Sequence, residues 1–387
     1  MKASIKTQRH QQLRRFHEAA QRDGRLDRFY ADCHQMFTEG NFDLSRDFSV
    51  KMMFEQFVED GAELVHDHFG SPTDRARFVE AAGYVDTAAF ANIMGQWAYS
   101  ATLAGYERPE LVGDQLVTVI PTQLSGERIP GIGRIGDDVE VVGEGTPYPN
   151  ATFGEEYIET PETIKRGLIL NITKEAIYFD RTGQLQQEAG RLGERIAVNR
   201  EKRILDAVTG IVTLYRRNGA AAVATYGSDN TKTSNPLVDW TSIDAIEQLF
   251  NVMTDPTTGE PIMITPDTLL VPKALEVTAK RIMNATMVRR GTDSGNSQTY
   301  TNGNQLTNSF NLVTGAYVRQ RTSSDTTFFY GRPKEAFVYM ENWPLNVIQA
   351  PANNELDFTS DIVTRLKATE RGAPAVRDRK YMAKSTA

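Results

Sequence analysis

Residues 127–165 read ERIPGIGRIGDDVEVVGEGTPYPNATFGEEYIETPETIK, and this stretch decides how the chain is interpreted. Residues 127–164 include nine acidic residues, two arginines, six glycines and four prolines, with no lysine. Such a composition buries too little apolar surface to offset the entropy lost when the chain becomes ordered. We therefore expect an extended acidic segment that is ordered only by lying on a neighbour.

A long amphipathic helix is predicted to follow over residues 182–210. Thr182 or Asp180 offers an N-cap oxygen, and Gly210 is a typical terminating residue. A helix of about 28 residues is roughly 42 Å long, more than most compact domains require. A protruding segment beside a long helix is typical of a building block. Apolar residues recur at helical spacing at Leu185, Ala189, Leu192, Ile196, Ile204, Leu205 and Val208.

The remaining pattern mixes helices and strands without a regular βαβ alternation, which predicts an α+β fold. Residues 1–110 appear helical, and a further helix is expected to start near Thr241 or Ser242. The polar stretch from Gly291 to Ser309 predicts an exposed, mobile loop. Strands are predicted around Leu116–Ile120, Leu168–Ile172, Leu269–Val271, Thr327–Tyr330, Ala336–Met340 and Ile362–Ala368.

The composition of the chain limits the classes of protein to which it can belong. With 387 residues, 40% of them hydrophobic, the chain can form a substantial core. No apolar run is long enough to span a membrane, and Met1–His10 lacks the apolar region of a signal peptide, so we expect a soluble protein that is not exported. The single cysteine, Cys33, excludes an internal disulfide framework; it fits a reducing cytoplasm, or it is simply an inert buried thiol, which is the commoner case.

The charge is unevenly distributed along the chain. The net charge is −7, yet Met1–Arg28 holds eight basic and three acidic residues. This basic end either contacts nucleic acid or an acidic partner, or is a solvated helix face, and the sequence leaves both interpretations open.

Three patterns invite an enzymatic interpretation, and none supports it well. Gly131, Gly133 and Gly136 match a dinucleotide fingerprint, but Pro130 precedes them and an acidic, strand-like stretch follows, where a helix is required. All five histidines lie in the first 70 residues, and His66 and His68 at i and i+2 do not share a helix face. Glu155 and Glu156 lack a predicted apolar pocket to raise their pKa values. We predict no catalytic, cofactor or metal site.

Six motifs follow one another along the chain: Gly145-Thr-Pro-Tyr-Pro149, Ile172-Thr-Lys-Glu-Ala-Ile-Tyr-Phe-Asp180, Thr182-Gly-Gln-Leu185, Leu269-Leu-Val-Pro-Lys-Ala-Leu275, Arg371-Gly-Ala-Pro374 and Asp378-Arg-Lys380. In this order they resemble the major capsid proteins of tailed bacteriophages, most closely the Mu-like and prophage branch. The resemblance covers roughly residues 100–385.

The resemblance implies a Hong Kong-phage-type α+β capsid fold. Residues 1–110 would be a helical N-terminal arm region, and 111–237 a peripheral domain with the extended loop 127–165 and the spine helix 182–210. Residues 238–345 would form the axial domain, and 346–387 would return to the peripheral domain.

The resemblance also implies a function and partners. The chain would be a structural subunit of the virion, assembling with itself into hexamers and pentamers in the host bacterial cytoplasm and enclosing double-stranded DNA without sequence specificity. Scaffolding, portal and decoration proteins are further candidate partners, and no membrane is expected. Residues of the extended loop expected to contact a neighbouring subunit are Arg128, Arg134, Asp137, Asp138, Glu144, Tyr148, Glu155 and Glu156.

Three alternatives stay open on the sequence. An encapsulin-like cellular nanocompartment shares the architecture, a nucleotide-dependent oxidoreductase would use the loop from Gly131 to Gly136, and a DNA-binding module would act through residues 1–28.

Some relatives crosslink a loop lysine to a neighbour's asparagine. This loop has no lysine before Lys165, so we expect a shell without isopeptide bonds, and we expect the N-terminal arm to be retained.

Overall fold

The protein is described here by a computed structural model. The structure describes residues 5–25, 28, 32, 88–107, 110–132, 142–145, 148, 155–173, 184–211, 214–217, 220–221, 230–254, 261–291, 299–303, 309–350 and 362–387. Predictions for Cys33, His34, His66 and His68, and for the candidate N-caps Asp180 and Thr182, lie outside these residues. In the part of the chain described, no helix is long and apolar enough to cross a membrane.

The described elements confirm a mixed α+β fold. The helices are α1 (Ile5–Arg22), α2 (Ala88–Tyr106), α3 (Gly113–Leu116), α4 (Gln184–Thr209), α5 (Trp240–Val252), α6 (Glu276–Asn284), α7 (Val318–Thr322) and α8 (Pro333–Ala336), with 3-10 turns at Lys273–Leu275 and Arg379–Tyr381. The early strands are β1 (Thr118–Pro121), β2 (Arg128–Ile132), β3 (Glu155–Glu159), β4 (Ile164–Thr173), β5 (Arg216–Arg217), β6 (Ala220–Ala221) and β7 (Thr231–Lys232). The later strands are β8 (Thr268–Pro272), β9 (Met287–Gly291), β10 (Thr299–Gly303), β11 (Asn311–Gly315), β12 (Phe328–Gly331), β13 (Phe337–Gln349), β14 (Ile362–Val376) and β15 (Met382–Ser385).

The chain divides into two compact units, and α4, β13 and β14 each contribute residues to both. The first unit holds residues 1–108, 165–198 and 345–370. The second holds residues 109–164, 199–344 and 371–387.

In the first unit, α2 and the first half of α4 approach backbone to backbone. Gly193 of α4 lies so close to α2 that a Cβ on it would overlap the Thr102 carbonyl. Thr102 Oγ1 is buried and donates to the Ala189 carbonyl oxygen at 3.1 Å. Glycine and small side chains therefore set the distance between these helices.

Strand β4 pairs with β14, which pairs with β13, and together they support the other side of α4 in this unit. Leu192 and Ile196 of α4 pack on Ala368 of β14 in one apolar cluster. Strand β4 is an edge strand, and Leu168 and Ile169 on it are about half exposed.

The second unit contains a five-stranded sheet of order β11-β8-β12-β15-β7 between two apolar cores. Because successive side chains of a strand point to opposite faces, Leu269 and Val271 of β8 join one core while Leu270 joins the other. Helices α5 and α6 cover the Leu269 face with Ile243, Ile246, Phe250, Ala279 and Ile282. The second half of α4 covers the Leu270 face with Ile204, Leu205 and Val208.

Two predictions about individual elements need correction, and one is confirmed. Leu116 belongs to α3, so the predicted strand begins only at Thr118. The helix predicted to start near Thr241 or Ser242 is confirmed as α5, which starts at Trp240 because the Asp239 carboxylate caps it by accepting from the Thr241 N–H. Within the stretch predicted to be a mobile loop, Thr299–Gly303 forms a strand that pairs antiparallel with Met287–Gly291.

Candidate functional site

The base of the acidic segment is a two-stranded ribbon of β2 and β3. The strands run antiparallel, with Arg128 opposite Glu159 and Ile132 opposite Glu155. Strand β3 pairs next with β5, which pairs with β6, so a small four-stranded sheet forms. Residues 128–132 and 155–159 thus pair within one chain, which corrects the expectation that the whole segment needs a neighbour for order.

Two isoleucines attach this ribbon to the rest of its unit. Ile129 of β2 packs against the buried cluster of Val338, Met340 and Ala375. Ile158 of β3 packs against the large core that includes Tyr339. Apolar residues in a polar segment therefore hold the ribbon on the core.

Polar contacts fix the end of the ribbon at which Glu127 faces Thr160. The backbone N–H of Glu127 donates to Thr160 Oγ1 at 2.8 Å, and the Thr160 N–H donates to the Glu127 carbonyl oxygen at 2.9 Å. Next to this pair, Arg371 Nε donates to Thr163 Oγ1 at 3.1 Å. Because backbone and side-chain groups both take part, the segment leaves and rejoins the core at defined points.

Arg128 has partners inside its own chain. Its guanidinium lies 3.5 Å from a carboxylate oxygen of Glu159 and stacks over the Tyr157 ring at 4.5 Å. The Arg128 side chain is 68% exposed, so these contacts leave most of the guanidinium open to solvent. That Arg128 contacts a neighbouring subunit stays a prediction. Any such contact would use the exposed side of the guanidinium.

Of the other predicted contact residues, Glu144 and Tyr148 are described and exposed. The Tyr148 side chain is 82% exposed, and Gly145 has a positive φ of 81° in a turn. Glu155 and Glu156 lie in β3, where the structure describes their backbone. Arg134, Asp137 and Asp138 lie outside the described residues.

The glycine fingerprint does not have the geometry of a dinucleotide site at its described end. Gly131 lies inside strand β2, opposite Glu156 of β3. A dinucleotide site requires this glycine at the turn between a strand and a helix. Elsewhere, among the residues that the structure describes, no group of three or more His, Cys, Asp or Glu side chains is placed to hold a metal ion.

A buried polar cluster in the second unit was not found from the sequence. The Arg200 guanidinium lies 2.9 Å from Asp114 and 3.2 Å from Glu341, and it stacks over the Tyr339 ring at 4.3 Å. Arg203 follows on the same helix and donates to Tyr339 Oη at 3.1 Å. The cluster joins α4, β13 and the segment before β1.

Glu201 lies beside this cluster and is 3% exposed. Its two carboxylate oxygens accept from the N–H groups of Val112 and Gly113, the first groups of α3. The pKa of Glu201 is raised above its ordinary value, mainly because the carboxyl group is buried. The hydrogen bonds from Gly113 and Val112 act in the opposite direction, and the charge of Asp114 adds to the rise. Glu201 was not predicted, because in sequence it is one of several charged residues on a long amphipathic helix.

Residues 156–385 match a family model described as phage capsid protein. The match contains β4, all of α4 and the five-stranded sheet. No curated protein sequence matches the chain.

Solved structures similar to this chain include a mycobacterium phage structure, the capsid of a GTA particle and an encapsulin complex. The structure described as "Mycobacterium phage Bobi" is 13% identical and covers 71% of this chain and 89% of its own, with a TM-score of 0.45. The "Capsid of empty GTA particle computed with C5 symmetry" is 11% identical over 72% and 90%, with a TM-score of 0.43. The holo-SrpI encapsulin complex from Synechococcus elongatus PCC 7942 is 10% identical over 72% and 87%, with a TM-score of 0.41.

Proposed function

Because this chain belongs to the phage capsid protein family and is a structural subunit of a capsid shell, we propose that it assembles with copies of itself into pentamers and hexamers of an icosahedral head that encloses double-stranded DNA. The observation that carries the proposal is the family match over residues 156–385. Assembly would take place in the cytoplasm of a bacterial host. The Mu-like branch, and the division into residues 1–110, 111–237, 238–345 and 346–387, stay predictions.

The acidic segment is proposed to be a contact between subunits. The ribbon of β2 and β3 gives the segment a fixed origin on its own subunit, while Glu144 and the 82% exposed Tyr148 lie beyond it. Exposed tyrosines supply a large rigid contact area at low entropic cost, which suits them to interfaces. Permanent interfaces of such assemblies bury roughly 2,000–5,000 Å² in total, so this contact would be one of several.

The basic N-terminus is proposed to contact the packaged DNA. Helix α1 carries most of the excess positive charge of the first 28 residues, and Arg15 on it is exposed. Lysine and arginine gain affinity for phosphates by releasing condensed counterions, without reading the base sequence. This matches what a shell needs from its inner surface.

Electron microscopy of the protein expressed alone tests the proposal. Closed particles of uniform size support a shell subunit, and a persistent single-copy species overturns it. The contents of the particles separate two kinds of shell. A phage head that has packaged its genome should contain double-stranded DNA, whereas a nanocompartment would contain an enzyme.

Two further measurements separate the remaining alternatives. A denaturing gel of the particles should show single subunits, because the loop lacks a lysine before Lys165, and a covalent ladder would contradict that expectation. Calorimetry with NAD should show no binding heat, since Gly131 lies within a strand.

A further inference from the structure

Helices α5 and α6 lie side by side on one face of the five-stranded sheet but toward opposite ends of it. Helix α5 contacts β15 and β7, and α6 contacts β8 and β11. Strand order places β7 at one edge of this sheet and β11 at the other. Arg281 Nη2 of α6 donates to the carbonyl oxygen of Val238, just before α5, at 3.4 Å. The two helices therefore pack on opposite halves of one sheet face.

The outer face of α5 is acidic. Residues 239–252 hold three carboxylates and no basic residue. Asp239 and Asp244 are exposed, while Glu247 accepts a hydrogen bond from Tyr330 Oη at 3.0 Å. Val252 shares the Asp244 side of the helix at i+8 and is 65% exposed. Asp239 caps the helix, and we call Asp244 and Val252 the acidic stripe.

The outer face of α6 and its preceding turn is basic. Residues 273–284 hold three basic residues and one carboxylate. That carboxylate, Glu276, binds Lys273 and Lys280 at 2.5 and 2.6 Å, and these hydrogen bonds lower its pKa to about 2. Because Arg281 donates to Val238, the outer face holds Lys273 and Lys280 against Glu276, an excess of one positive charge. We call Lys273, Val277 and Lys280 the basic stripe, in which Val277 is 78% exposed.

We propose that the acidic stripe of one copy of this chain packs against the basic stripe of the next copy. A head-to-tail contact requires two different and complementary surfaces on one subunit, and repeating it by rotation closes a ring. The stripes have opposite charge, each has an exposed valine for apolar contact, and they lie toward opposite ends of the sheet. The inference rests on the proposed function and identifies one contact within its rings.

Charge reversal tests the contact. Asp244→Lys and Lys280→Glu each place like charges opposite one another at every contact, so closed shells should be lost. The double variant Asp244→Lys/Lys280→Glu restores opposite charges at every contact and should regain them. Asp244 and Lys280 are both exposed, so each variant should still fold, and its melting temperature is compared with that of the wild-type chain. Lys280→Glu should lower the melting temperature more than Asp244→Lys does, because it also breaks the ion pair with Glu276.

Matched controls are Asp325→Lys and Arg377→Glu, which reverse exposed charges of the same unit outside both stripes and should leave shells intact. If the wild-type chain and all three stripe variants form shells equally, the inference is wrong and the proposed function stands. If single variants lose shells and the double variant does not regain them, the stripes meet separate partners and the inference is overturned. If the wild-type chain forms no shells, the proposed function fails and the inference fails with it.

Discussion

Glu201 Oε2 accepts a hydrogen bond of 2.6 Å from the Gly113 N–H, across 88 positions of sequence. The other carboxylate oxygen accepts from Val112, so one buried side chain satisfies two backbone donors that begin α3. This contact holds the segment before β1 against the middle of α4.

Glu201→Gln should destabilise the protein by about 1–3 kcal/mol, because the NH2 group cannot accept from a backbone N–H. Burial raises the folded-state pKa of Glu201, so the folded state binds the proton more tightly than the unfolded state. The stability that this group contributes is therefore full below its ordinary pKa and is lost as pH rises through the raised value.

Urea unfolding is measured from pH 4 to pH 8. The difference in free energy of unfolding between wild type and Glu201→Gln should become smaller as the pH rises. Glu188→Gln, an exposed change on the same helix, should leave the pH profile of the wild type unchanged. Identical pH slopes for wild type and Glu201→Gln would contradict the assignment.

Gly193→Ala should destabilise the protein by about 1–3 kcal/mol, because the added Cβ overlaps the backbone of α2 at Thr102. Gly190→Ala is the matched control one turn away, where the nearest atom, the Ala101 carbonyl oxygen, lies at 3.7 Å. There the better helix propensity of alanine should stabilise the protein by up to about 1 kcal/mol. Thermal unfolding of both variants measures the difference, and equal effects would argue against close contact of α2 and α4.

Arg200→Met should cost about 1–3 kcal/mol, since it removes two ion pairs and leaves Glu341, whose side chain is only 20% exposed, without its arginine. Arg191→Met breaks an exposed pair with Glu188 on the same helix and should cost at most about 0.5 kcal/mol. Denaturant unfolding of the two variants should rank them in this order. An Arg200→Met variant as stable as Arg191→Met would show that the cluster contributes no net stability.

Tyr148→Ser should leave the free energy of unfolding within about 0.5 kcal/mol of wild type, because the side chain is 82% exposed. If Tyr148 contacts a neighbouring subunit, the same change should reduce the yield of closed shells seen by electron microscopy. Leu124→Ser, at a residue 60% exposed near the base of the ribbon, is the control and should assemble normally. Normal assembly of Tyr148→Ser would remove this residue from the proposed contact.

Much of the local structure was predictable from residue periodicity. The helix predicted over residues 182–210 is observed at Gln184–Thr209, and the strand predicted near Leu168–Ile172 lies within β4. The errors arose where tertiary contacts override local pattern. Thr299–Gly303 forms a strand from polar residues because Met287–Gly291 offers a pairing edge. Hydrophobic periodicity contains no signal for such a pairing.

The sequence by itself determined the α+β class, the long helix, the acidic segment and the resemblance to capsid proteins, because composition, spacing and motif order are local properties of the chain. Only the tertiary structure decided that β2 pairs with β3, that Glu201 caps α3, and that α5 and α6 pack toward opposite ends of one sheet. Each of these depends on which distant residues become neighbours. Which residues become neighbours depends on burial of the whole hydrophobic core, and no local sequence pattern encodes this.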